Sequence, residues 1–77
     1  MYIQVKGHAD MQTYTAHLPP EGDLEIADGA TVDAVLNKLK VPSESKKLII
    51  VNGRHQSHDY ILQPGDSLVF FPPIEGG

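Results

Sequence analysis

A single apolar stripe at helical spacing governs what this chain can become. Val32, Val35, Leu36 and Leu39 fall at i, i+3, i+4 and i+7, so they share one face of a helix. Thr31 supplies a hydroxyl for the N-cap, Asp33 places negative charge in the first turn, and Pro42 forbids continuation, which bounds the helix at both ends. The other apolar residues sit in short segments of strand character. Residues 2–7 alternate, with Ile3 and Val5 on one side and Tyr2, Gln4 and Lys6 on the other. The polar stretch from His8 to His17, with Thr13, Tyr14 and Thr15, reads as the continuation of an opening hairpin. After the break at Pro19-Pro20-Glu21-Gly22, Asp23 to Ala27 offers a short strand with Leu24 and Ile26 turned inward. Leu48 to Val51 is continuously aliphatic and is expected to be buried on both faces. Asn52-Gly53 signals a tight reversal, and Arg54 to Ser57 follows it as a brief edge strand. Gln63-Pro64-Gly65-Asp66 turns the chain into its last strand, Ser67 to Phe71. The expected class is α+β: a mixed sheet of four to five strands, with one main helix across one face serving as the crossover between parallel strands.

Size and charge exclude several functions. A chain of 77 residues makes one domain that buries only about 60% of its extended surface, so its core is one thin layer without room for a deep pocket. Ten carboxylates against six Lys and Arg give a net charge of −4, which argues against nucleic acid as a partner. No run approaches the about eighteen apolar residues of a membrane span, and Met1 to Lys6 has no secretory character, so no membrane partner and a cytoplasmic location are expected. The absence of cysteine rules out disulfides and any thiol-borne chemistry.

The carboxyl end is the most unusual segment. Phe70-Phe71-Pro72-Pro73-Ile74-Glu75-Gly76-Gly77 passes from an apolar strand through a stiff Pro-Pro pair to a diglycine. The chain therefore divides into a domain over residues 1–71 and a flexible tail over 72–77. Glycine leaves the tail thin and conformationally free, suited to a narrow tunnel in another protein. Glu75 and Gly76 would enter that tunnel and present the Gly77 carboxylate as a substrate. A frayed terminus is the plainer alternative. Pro72 and Pro73 fix φ and lower the entropy lost on insertion. Strand alternation sends Phe70 inward with Leu68 and Phe71 outward with Val69, leaving Phe71 and Ile74 as apolar anchors for docking. Arg54, just after the reversal, is placed to pair with acidic groups on an activating enzyme, with a solvated surface arginine as the bland alternative.

The run from Gly65 to Gly77 resembles the carboxyl end of the MoaD family, in which a Gly-Asp turn leads to a strand ending Phe-Pro-Pro-x-x-Gly-Gly. Val51-Asn52-Gly53 is similar to the corresponding segment of the related ThiS carriers. The Phe-Ala-x-x-Arg-Glu stretch common in MoaD has no counterpart at Gly7 to Thr13. The resemblance implies a ubiquitin-like β-grasp fold and a hydrophobic docking surface before the tail. It also implies a sulfur carrier in molybdopterin (molybdenum or tungsten cofactor) biosynthesis, with carriers for thiamine or tRNA thiolation as neighbouring alternatives. A ubiquitin-like modifier conjugated to lysines through Gly77 is the alternative of another class. The implied partners are an ATP-dependent activating enzyme of the MoeB/ThiF kind and a larger synthase subunit like MoaE. ATP would be consumed by the activating partner, and the chain itself would bind no cofactor.

No catalytic residue is expected in the chain itself. Ser45, Ser57 and Ser67 have no recognisable nucleophile context. His55 and His58 lie three apart, on opposite sides of a strand, so they and Asp59 make a poor metal site. Lys38, Lys40, Lys46 and Lys47 read as solvated charge near the helix end.

Overall fold

A computed structural model describes residues 1–42, 44 and 46–73. Strand β1 (Tyr2–Gly7) alternates exposed and buried residues as its sequence requires, and β2 (Asp23–Glu25) pairs with it antiparallel, Ile3 opposite Leu24. Helix α1 (Val32–Lys38) follows, then β3 (Leu48–Val51), β4 (Arg54–His55) and β5 (Ser67–Phe71). The sheet order is β2-β1-β5-β3-β4. The first and last strands lie side by side and parallel, Val5 opposite Leu68, while β3 runs antiparallel to β5. This is the expected ubiquitin-like β-grasp arrangement, with the final strand in the centre of the sheet. No helix among the described residues is long and apolar enough to cross a membrane.

The helix forms where its stripe and caps dictate. The Thr31 hydroxyl accepts from the Ala34 N–H at 3.2 Å, and Val32, Val35, Leu36 and Leu39 are all buried. At the far end the Val41 N–H reaches the Leu36 carbonyl and the Lys40 N–H the Asn37 carbonyl, the two bonds of a Schellman motif. Val41 and Leu36 are both buried, supplying the hydrophobic pair that commonly accompanies that cap. Lys40 occupies the left-handed position usually given to glycine, with φ of 65°. The helical stripe joins Ile3, Val5, Ile49, Val51, Leu62, Leu68 and Phe70 in one core cluster.

Three expectations are corrected. His8 to His17 does not extend a hairpin; Ala9–Tyr14 is a 3-10 helix. Both sides of β1 are already occupied, by β2 and β5, so no edge is left for residues 13–15 to pair with. Gly7 permits the turn, because a Cβ there would sit 2.3 Å from the Met11 carbonyl oxygen, and Met11 drops its side chain into the core. Second, β3 is buried on one face only: Ile49 and Val51 face the helix layer, whereas Leu48 and Ile50 are half-buried on a face that no second layer covers. Third, the edge strand after Asn52-Gly53 stops at His55.

The reversal itself is as expected. Asn52 and Gly53 have φ of 52° and 82°, the signs a type I′ turn needs. The Asn52 side chain also reaches across to β5. Its Nδ2 donates to the Asp66 carboxylate at 2.8 Å and its Oδ1 accepts from the Ser67 N–H at 2.9 Å. The second Asp66 oxygen accepts from the Gln63 N–H at 2.8 Å. Asp66 is the one charged side chain among the buried described residues, and these bonds satisfy it. The two short motifs that carried the family resemblance, Val51-Asn52 and Gly65-Asp66, therefore meet and lock the start of β5 against the β3–β4 turn.

Candidate docking surface at the end of the last strand

The site grows from the register of β5. Opposed residues in a sheet project from the same face, so Phe71 stands beside Leu48, and Val69 lies between Ile50 on one side and Lys6 on the other. Leu48, Ile50, Val69 and Phe71 thus make a half-buried apolar patch on the uncovered face. The chain leaves β5 through Pro72 and Pro73, both half-buried, at the end of this patch. As expected, Phe70 and Leu68 are fully buried on the helix side.

The turn after β1 completes the surface. The His8 N–H donates to the Phe70 carbonyl at 3.0 Å, and the His8 ring meets Phe71 edge to face, with centroids 6.3 Å apart and planes at 88°. Ala9 follows in the left-handed region, φ 55°, which turns the chain away from the sheet into the 3-10 helix. His8, Ala9, Val69, Phe71, Pro72 and Pro73 line an open depression of about 520 Å³.

The expected site residues separate into three groups. Phe71, Pro72 and Pro73 come together at this depression. Arg54 does not join them: it is exposed, but it lies opposite Val51, on the helix side of the sheet and at the other end of β3 from Leu48. Ile74, Glu75, Gly76 and Gly77 lie outside the described residues. His8, Ala9, Leu48 and Ile50 were not anticipated. No sequence signal marked Leu48 and Ile50, because all four residues of β3 are aliphatic and show no alternation.

The described residues assemble no reaction centre of recognisable kind. No three His, Cys, Asp or Glu side chains among them converge as metal ligands would. At the loop after β4, the Ser57 hydroxyl donates to the Asp59 carboxylate and holds it below the ordinary carboxylate range, with a backbone hydrogen bond and the neighbouring His58 acting in the same direction. Asp59 is exposed, so this is a local feature of the loop.

Comparison with known proteins fits this geometry. The chain superimposes on a putative molybdopterin converting factor subunit 1 from Pyrococcus furiosus with a TM-score of 0.74 and 25% identity, covering 96% of this chain and 99% of that one. It superimposes on SAMP1 from Haloferax volcanii with a TM-score of 0.73 and 18% identity, over 100% of both chains. For the Haloferax volcanii HVO 2177 protein the TM-score is 0.76 at 21% identity, covering 100% of this chain and 87% of that one. These last two likenesses establish the fold. A comparison with curated proteins gives no significant match. The model of the ThiS family matches residues 10–77, nearly the whole chain, and the chain accordingly belongs to the ThiS family.

Proposed function

We propose that this chain is a sulfur carrier that donates sulfur in molybdopterin biosynthesis, the sulfur being carried as a thiocarboxylate at Gly77. The observation that carries this reading is the family match, which runs through Gly77 itself. The likeness to the putative molybdopterin converting factor subunit favours molybdopterin over the other sulfur pathways.

The chemistry follows from what a carboxylate lacks. With an ordinary pKa of about 3.5 it is ionised at neutral pH and resists nucleophiles. An ATP-dependent activating enzyme joins the Gly77 carboxylate to AMP and releases pyrophosphate, giving the carbonyl carbon a good leaving group. A persulfide on a sulfur donor then attacks that carbon and AMP departs, leaving an acyl disulfide. A thiol cleaves the S–S bond, so that the donor side is oxidised to a disulfide and the thiocarboxylate is released. The chain contains no cysteine, so both thiols belong to other proteins. Its own part is to dock and to hold its carboxyl end in the partner's groove. Phe71, Pro72 and Pro73, with Leu48, Ile50 and Val69, supply an apolar surface for that docking.

Incubation with the adenylating enzyme of the same cell, ATP, Mg²⁺ and a persulfide donor should raise the intact mass by the exchange of one oxygen for sulfur. The gain should map to the carboxyl-terminal peptide. An unchanged mass with an enzyme that is active on its own carrier would refute the reading. Isopeptide adducts on lysines of other proteins, without thiocarboxylate, would replace it with a protein modifier.

A further inference from the structure

Four of the six cationic side chains, Lys38, Lys40, Lys46 and Lys47, lie within residues 38–47, and the topology shows where that segment runs. The amino end of α1 is tied to the segment before β5: the Val32 N–H donates to the Tyr60 carbonyl at 3.0 Å and the Asp33 N–H to the His58 carbonyl at 2.7 Å. The carboxyl end, bearing Lys38 and Lys40, therefore points toward the finish of β5. Leu48 stands opposite Phe71, so Lys46 and Lys47, immediately before it, flank the exit at Pro72 and Pro73. The Lys47 ammonium donates to the Pro42 carbonyl at 3.2 Å, which holds it over this loop. Lys38, Lys40 and Lys46 are exposed, and no carboxylate of the described residues lies within ion-pair distance of them. Glu44 is the one carboxylate in the segment. Asp28, Asp33, Asp59 and Asp66 lie toward the opposite end of the molecule, and Asp23 and Glu25 lie on the β2 edge. A chain of net charge −4 thus gathers most of its cations around the point where its tail departs.

Lys40 adds an independent observation. Its left-handed backbone, φ 65°, is strained for a residue with a side chain, and glycine is the usual occupant of this cap. The helix dipole does not call for a lysine there, since Lys38 already places a cation in the last turn. A charge is kept at a position where folding alone favours its removal.

We infer that Lys38, Lys40, Lys46 and Lys47 form a basic collar that meets an acidic face on the protein receiving the tail. This rests on the reading of Gly77 as the reacting end. A protein fits better than nucleic acid because the collar adjoins the apolar surface of Leu48, Phe71 and Pro72, which a phosphate backbone would leave wet, and because the rest of the molecule is acidic. Such a collar raises the rate of encounter more than the strength of the docked complex, and salt screens it.

The test is stopped-flow association of the full chain with the adenylating enzyme that modifies it, across NaCl from about 50 to about 500 mM. The triple variant Lys38→Gln/Lys40→Gln/Lys46→Gln should associate about tenfold more slowly at low salt, converge with the parent at high salt, and reach the same adenylation rate at saturation. Lys40→Gly should raise the melting temperature and yet slow association about twofold, a pairing that a purely structural lysine would not give. Association that ignores both salt and these substitutions, with adenylation intact, overturns the collar and leaves the proposed function standing. A parent chain that the enzyme does not adenylate overturns both. Salt-sensitive binding to an RNA oligomer that the triple variant loses, with unchanged enzyme association, would assign the lysines to nucleic acid instead.

Discussion

On the helix side of the sheet, Ile3, Val5, Ile49, Val51, Leu68 and Phe70 are each at most 6% exposed. On the other side, their neighbours in the same strands, Leu48, Ile50, Val69 and Phe71, are half-buried, with Lys6, His8 and the Pro-Pro exit around them. The residues are of the same apolar kind and often adjacent in sequence. They differ in what lies over them: a helix whose apolar stripe is committed to one face leaves the other face for something outside the domain. One face stabilises the fold, and the opposite one is suited to a partner.

The sharpest way to break this contrast is to truncate the two adjacent phenylalanines separately. Phe70→Ala removes a fully buried ring and should lower stability by about 3–5 kcal/mol in urea unfolding. A small loss there would mean that the covered face is not the load it is taken for. Asp66→Ala leaves the Asn52 amide and the Gln63 N–H without their acceptor and should lower stability by about 1–3 kcal/mol. The double variant with Asn52→Ala should then be less destabilised than the sum of the two single changes. Phe71→Ala should cost only about 1 kcal/mol, because its ring is half-exposed, while docking to the adenylating enzyme weakens far more than stability does. Equal losses in stability for Phe70→Ala and Phe71→Ala would dissolve the distinction between the faces. The smallest effect belongs to Lys40→Gly, which should gain up to about 1 kcal/mol by relieving the left-handed cap, measured as a shift in thermal midpoint.

Much of this could be read from local pattern. The helix was bounded by its stripe, its Thr31 cap and Pro42, and the inward placement of Phe70 followed from period-two alternation. The Asn52-Gly53 reversal was equally legible, because its dihedral demands are met by few residue pairs. The 3-10 helix at Ala9–Tyr14 was not legible. Its cause is the occupation of both flanks of β1 by strands far away in sequence, together with the close approach of Met11 to Gly7. The docking surface was visible only in part: Phe71, Pro72 and Pro73 stood out, but Leu48 and Ile50 were hidden in a uniformly aliphatic strand, and His8 comes from a turn that the pattern misread.

The order of residues alone thus determined one helix, the strands, the turns and a chain suited to presenting its own end, since periodicity, caps and turn dihedrals are local properties. Tertiary structure decided which strand lies in the centre, which face stays bare, that Arg54 stands apart from Phe71, and that four lysines gather at one pole. Those outcomes depend on register between segments distant in the chain, and register is fixed by how the strands and helix pack together to bury a common core.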